Sequence, residues 1–146
     1  MSSDPGVVAY DDDLAAWSEQ QEALLRAGRL GAVDLEHVAE EIESVGASER
    51  REVRRRLARL LQHLLKWRLQ PAGRGRSWLG TIRTQRMELA VTLDESPSLR
   101  RRLPEALGTA YALAREGAQD ETGHEDLPPT CPFTLAQVLD PDYLPD

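Results

Sequence analysis

Residues 53–67 read VRRRLARLLQHLLKW. Val53, Leu57, Leu60, Leu61, Leu64 and Trp67 recur at intervals of three and four, the spacing that puts side chains on one face of an α-helix. Arg51, Arg55 and Gln62 fall on the other face. Ser48 is placed to open this helix, and Pro71 cannot continue it, so the pattern predicts a helix ending at Gln70.

The same period extends outward in both directions. Upstream, Asp34 is a cap for a helix with the stripe Leu35, Val38, Ile42 and Val45, and Gly46 is its expected stop. Before it, one of Asp11 to Asp13 caps a helix running to Ala27, with Trp17, Leu24, Leu14 and Leu25 facing inward and Gly28 ending it. Downstream, Pro71 to Arg76 form a loop, and Ser77 is the expected cap of a helix to Glu95 carrying Trp78, Ile82, Leu89 and Leu93 inward. Ser96-Pro97 starts the next, with Leu99, Leu103, Leu107, Ala110 and either Leu113 or Ala114 inward. Pro104 should kink or split it. Residues 117–132 look like loop, and Thr134 caps a last short helix to Leu139.

No strand-length alternation of apolar and polar residues interrupts this pattern. The expected fold is all-α, an up-down bundle of four to five helices with a Pro-rich C-terminal extension. One helical domain is expected over residues 1–146, with a core at about 10–117 and the extension at 118–146 wrapping over it.

Composition limits the function classes. The 146 residues are 40% hydrophobic and 29% charged, which is a globular composition. No apolar run approaches membrane-spanning length, so no membrane partner is expected. The opening Met-Ser-Ser-Asp-Pro-Gly has neither the basic nor the apolar part of a secretory leader, and a cytoplasmic location is therefore expected. Cys131 is the only cysteine, which excludes an internal disulfide and multi-cysteine metal sites. It has no adjacent histidine to make it a nucleophile.

The net charge of −7 hides a strong segregation. Residues 1–49 carry 12 acidic and 2 basic side chains, residues 50–102 carry 4 and 15, and residues 103–146 carry 9 and 1. The basic middle either pairs with the acidic ends or forms a surface for phosphates; pairing is preferred, because a phosphate binder of this size is usually basic overall.

Several segments together resemble a known family. They are Tyr10-Asp11 with Trp17, Asp34-Leu35-Glu36, Glu40-Glu41-Ile42-Glu43, Gly46 and Ser48-Glu49-Arg50. His63-Leu64-Leu65-Lys66-Trp67, Pro71, Arg76-Ser77-Trp78, Gln85-Arg86 and Ser96-Pro97-Ser98-Leu99 continue the series, which closes with Cys131-Pro132 and Leu139-Asp140-Pro141-Asp142. From about Tyr10 to Tyr143 the chain resembles the bacterial domain-of-unknown-function family numbered twenty-nine. The resemblance implies a small, mostly helical cytoplasmic protein and no assigned activity. Leu144 stands where that pattern usually has an aromatic, and Gly80 where it usually has a polar residue.

The candidate site residues are polar groups at the edges of the predicted stripes. Glu40 and Glu43 flank one helix, Arg56 and His63 the next, and Arg86 falls within the apolar arc of Ile82 and Leu89. If these flanks meet, they form a carboxylate–arginine–histidine cluster, either an ion-pair network or a site. The Arg56-to-His63 spacing also resembles the arginine-to-histidine motif of the higher-eukaryote-and-prokaryote nucleotide-binding ribonucleases. There the histidine helps deprotonate a ribose hydroxyl and the arginine stabilises phosphate charge. Leu57 replaces the polar residue often found after that arginine.

Arg74, Arg76 and Ser77 form a possible anion site ahead of a helix. Metal spacings are weak: Glu121-x-x-His124 includes Gly123, and Asp34 of Asp34-x-x-His37 is more useful as a cap, so no metal and no cofactor are expected. His37 reads as a lone surface histidine. The favoured function is a non-catalytic helical interaction or adaptor protein acting on a protein partner or as a homodimer. The alternative is a nucleic-acid-directed protein, in its sharpest form a metal-independent ribonuclease using Arg56 and His63.

Overall fold

The computed structural model describes residues 6–146. Its five helices are α1 (Leu14–Arg26), α2 (Leu35–Leu69), α3 (Arg76–Glu95), α4 (Leu103–Thr122) and α5 (Leu135–Leu139), with short 3-10 turns at Leu30–Ala32, Pro71–Gly73 and Pro97–Arg102. The fold is all-α and up-down in kind, as the periodicity predicts. The chain forms two compact units, one up to Ser48 and the other Glu49–Asp146, with α2 contributing to both.

In the first unit, Asp13 caps α1 by accepting from the Ala16 N–H at 3.0 Å. Gly28 ends it with φ +70°, a conformation that glycine adopts without strain. The Gly28 and Arg29 N–H groups return to the carbonyls of Leu25 and Leu24, closing the last turn. Trp17 is buried, but Leu14 and Leu25 are exposed, contrary to their expected inward placement. The stripe of Leu35, Ile42 and Val45 is likewise exposed, with Val38 half-buried. Gly46 does not stop the helix. Its φ is not positive, and a helical glycine costs only about 1 kcal/mol relative to alanine. No proline occurs between it and Pro71, so α2 continues through the position.

In the second unit, Leu57, Leu60, Leu61 and Leu64 of α2 are fully buried, and Leu65 nearly so. They pack with Ile82, Leu89 and Leu93 of α3 and with Leu103, Ala110, Tyr111, Ala114 and Ala118 of α4. Ala114 is inward and Leu113 outward, which decides between the two sequence alternatives. Pro104 splits its segment as expected: a 3-10 stretch comes first, and α4 takes the proline in its first turn. Helix α4 runs on to Thr122, so residues 117–122 are not loop; Gly123, with φ +74°, ends it. Gln62, expected on the solvent face, is half-buried. Its amide lies against Gly117 and donates to Glu121 Oε1 at 2.8 Å.

Beyond Gly123 the chain wraps over this unit. Leu127, Phe133 and Val138 are buried in its core. Thr134 caps α5 with a reciprocal capping box to Gln137. The buried Arg86 of α3, 6% exposed, donates through Nε to the Val138 carbonyl at 2.9 Å and through Nη2 to the Gln137 carbonyl at 3.2 Å. A five-residue helix leaves its last carbonyls short of donors; Arg86 supplies one to Val138 and a second, beside the Asp140 N–H, to Gln137. Burial pushes the guanidinium below its ordinary value, and the Asp140 charge opposes that shift.

Arg86→Leu is expected to destabilise the protein by about 2–4 kcal/mol in urea denaturation, because the buried Val138 carbonyl and the half-buried Gln137 carbonyl lose a charged donor. Amide exchange should accelerate over residues 135–139 first. Unchanged stability with unchanged exchange in α5 would show that the guanidinium does not hold the tail.

Candidate functional site

The densest polar cluster in the first unit is one that the sequence does not advertise. Asp34 sits just before α2. Its Oδ1 accepts from the His37 backbone N–H at 3.4 Å, a helix-capping contact. Its Oδ2 accepts from His37 Nδ1 at 2.7 Å and from Trp17 Nε1 at 3.1 Å. The Asp34 N–H donates to Gln21 Oε1 at 2.7 Å, and Gln21 is buried on α1. Tyr10 stacks on His37 with ring centroids 4.2 Å apart and meets Trp17 edge-on at 4.9 Å. The Tyr10 hydroxyl donates to Glu41 Oε1 at 2.5 Å. This network ties α1, α2 and the segment before α1 together. His37 is part of the fastening rather than a lone surface histidine.

The charges of this network follow from its hydrogen bonds. The Asp34 hydrogen bond raises the His37 pKa above the ordinary 6.5. Desolvation works to raise Asp34, but its hydrogen bonds with His37 and Trp17 outweigh that and hold the carboxyl below 3.8. The hydrogen bond to Glu41 pushes the Tyr10 phenol up to about 12, so it stays neutral.

Beside the network lies an open apolar cavity of about 450 Å³. Trp17 and Leu25 of α1 and Val38, Ile42 and Val45 of α2 supply its apolar lining, and Glu22 and Glu41 stand among them. Ile42 and Val45 are each 67% exposed. The periodicity identified these residues as a stripe, but it did not indicate that the stripe stays open.

The candidate residues of the sequence fall into both units. Glu40 and Glu43 are exposed on the first-unit part of α2. Arg56, His63 and Arg86 belong to the second unit. Arg56 Nη2 pairs with Glu52 at 2.7 Å and reaches Glu88 of α3 at 3.8 Å, and Nη1 donates to Gln85 Oε1 at 3.3 Å. Its Nε is buried with no hydrogen-bond partner among the described residues. His63 Nδ1 donates to the Arg59 carbonyl at 3.0 Å, which leaves Nε2 as the lone-pair nitrogen of the neutral ring. Burial lowers its pKa and favours that neutral form. No hydrogen bond or ion pair joins Arg56, His63 and Arg86 to one another among the described residues; each has separate partners.

At the expected anion site, Gly75 rather than Ser77 is the residue before α3, and it makes no side-chain cap. Arg74 is turned inward: its Nε donates to the Trp67 carbonyl at 2.7 Å and its guanidinium lies over the Trp67 ring at 5.5 Å. Arg76 and Ser77 are exposed. Glu121 is taken by Lys66 Nζ at 2.5 Å, while His124 is exposed past the end of α4. The half-buried Cys131 thiol is pushed up by burial and directed at the Phe133 carbonyl, which suits packing rather than nucleophilic attack. No group of three or more His, Cys, Asp or Glu side chains that could hold a metal occurs among the described residues. No helix among them is long and apolar enough to cross a membrane.

The Asp34–His37 pair sets the pH behaviour of the first unit. A histidine whose folded value is raised stabilises the fold fully below 6.5, and the contribution is lost as pH rises through the raised value. Asp34 works in the opposite sense, contributing above 3.8 and losing its effect as pH falls through its lowered value. The fastening is therefore strongest between the two. By NMR titration His37 should have a midpoint above 6.5, and Asp34→Asn should move it down. A midpoint unaffected by Asp34→Asn would contradict the pairing.

No curated protein and no solved structure matches this chain. One family model does, over residues 9–144, which is nearly the whole molecule. Its range takes in the Asp34–His37 network, the apolar cavity and the leucine core, and the chain belongs to the family described as Domain of unknown function DUF29.

Proposed function

We propose that this protein is a non-catalytic helical interaction protein whose first unit receives a cationic amphipathic helix from a partner protein. The observation that carries this reading is the open cavity between α1 and α2, with Ile42 and Val45 largely exposed on its wall. Contiguous exposed apolar surface with a polar rim is costly in water and commonly marks a docking site. A groove between two helices suits the apolar face of a third, presented at helical spacing.

The charge of the unit selects the partner. Residues 6–48 hold ten acidic and two basic side chains. Cationic groups flanking the docked apolar face would find complementary carboxylates, whereas two such acidic units would repel each other face to face. That repulsion disfavours self-pairing through this surface. The polar network behind the cavity supports the reading too, because it fixes the two helices before a partner arrives and reduces the ordering cost of binding. In the second unit, Arg56, His63 and Arg86 each hold structural partners of their own, which is consistent with a scaffold role.

The test is titration of the full chain with a synthetic amphipathic helix of leucine and lysine, beside a counterpart with glutamate for lysine. The lysine peptide should bind and weaken with added salt. Ile42→Asp and Val45→Asp should each weaken it by roughly tenfold or more without lowering the thermal midpoint, since both side chains are exposed. Equal binding of the glutamate peptide, or indifference to both substitutions, would refute the proposal. A dimer seen by sedimentation and dissolved by Ile42→Asp would make a second copy the occupant instead. RNA cleavage by the wild type, lost in folded Arg56→Ala and His63→Ala, would overturn the non-catalytic reading in favour of a ribonuclease.

A further inference from the structure

Six of the fifteen arginines of the second unit have side-chain partners among the described residues. Arg55 and Arg56 pair with Glu52, Arg100 pairs with Asp94, and Arg74, Arg86 and Arg115 bond to backbone carbonyls. Arg50, Arg54 and Arg102 are three of the nine without a side-chain ion pair or hydrogen bond, and these three line one cavity of about 190 Å³. Arg50 and Arg54 lie one turn apart on α2, and Arg102 comes from the 3-10 stretch that leads into α4. Arg50 and Arg102 are exposed and Arg54 is half-buried, so water screens their mutual repulsion and a bound anion relieves what remains.

One further feature favours an anion there. Arg102 directly precedes α4, so the positive end of a 20-residue helix borders the cavity. Thr109, one turn beyond Glu105, lies on the same wall with its hydroxyl donating to the Glu105 carbonyl at 3.5 Å. Glu105 is the one acidic side chain lining the cavity, leaving a formal excess of two positive charges. The buried Val53 and Leu99 side chains make an apolar portion of the wall.

We propose that this cavity binds a phosphate monoester, with Arg50, Arg54 and Arg102 holding the phosphoryl group and Val53 and Leu99 contacting a small organic body. Guanidinium groups match the planar pairs of oxygens that a phosphate presents, and they do so best when no protein carboxylate competes for them. A dianionic phosphoryl group balances the excess charge. A small concave site bordered by a glutamate suits an isolated phosphate better than a continuous phosphodiester strand.

Calorimetry on the full chain at low salt would test this with three probes: inorganic phosphate, phenyl phosphate, and a single-stranded oligonucleotide lacking terminal phosphates. Saturable binding of the phosphate probes at one site is expected. Tighter binding of phenyl phosphate would identify an ester as the ligand, and equal binding would identify the free ion; both support the site. Arg54→Gln and Arg102→Gln should each weaken binding by roughly tenfold, while the exposed Arg68→Gln, outside the cavity, should change it by less than about twofold. Circular dichroism checks that the variants are folded. Failure of both phosphate probes to saturate, or an equal loss in Arg68→Gln, would overturn the proposal. Equally tight oligonucleotide binding lost in the same two variants would also overturn it, in favour of a strand-binding surface.

Discussion

The leucines of α2 between residues 57 and 65 cannot be left in water together, and the second unit is built to cover them. Each contributes about 1.5–3 kcal/mol by its burial, and five lie within nine residues of one helix. Helix α3 supplies Ile82, Leu89 and Leu93 against them, and α4 supplies a face rich in small residues, with Ala110, Ala114 and Ala118 admitting a close approach. The tail then adds Leu127, Phe133 and Val138. Polar groups at the margin serve the same end. Lys66 lays its stem along the core, and its ammonium reaches Glu121 and the Trp78 ring. Arg86 holds α5 by its carbonyls.

The first unit is held together differently. Trp17 is its single buried large apolar side chain among the described residues, and the polar Gln21 is buried beside it. Cohesion comes from Asp34, His37, Tyr10 and Glu41, through hydrogen bonds and ring stacking, rather than from an apolar core. Apolar residues that a larger unit would enclose therefore remain outside, and Leu25, Ile42 and Val45 form a surface. A short helical pair fastened by directional contacts can keep its shape while presenting such a surface. The same directional contacts make it responsive to pH.

Charge is divided along the same lines. Two carboxylates of the acidic segment 6–48, Glu22 and Glu41, stand at the apolar cavity, and the arginines of α2 and of the turn before α4 are partly spent on structure and partly without side-chain partners. Net charge alone conceals this, because the acidic and basic segments largely cancel.

The sequence by itself determined the all-α class, the leucine face of α2, and the cap at Thr134, and it narrowed the first cap to Asp11, Asp12 or Asp13. It also located the split at Pro104 and the burial of Arg86 within an apolar arc. Each comes from a local rule: a period of 3.6, a side chain that accepts from a free N–H, a ring without a donor. Gly46 was legible only as a glycine, and a glycine ends a helix only when the backbone turns left-handed there, which local composition does not decide. Leu14, Leu25, Leu35, Ile42 and Val45 read as inward because periodicity finds an apolar face without finding what covers it. Tertiary structure alone joined Asp34 and His37 to Tyr10 and Trp17, gave Arg86 two carbonyls 51 and 52 residues away, and brought Arg102 beside Arg50 and Arg54. Such pairings depend on how each helix is rotated about its axis, and that rotation is fixed only when side chains from distant segments pack against one another.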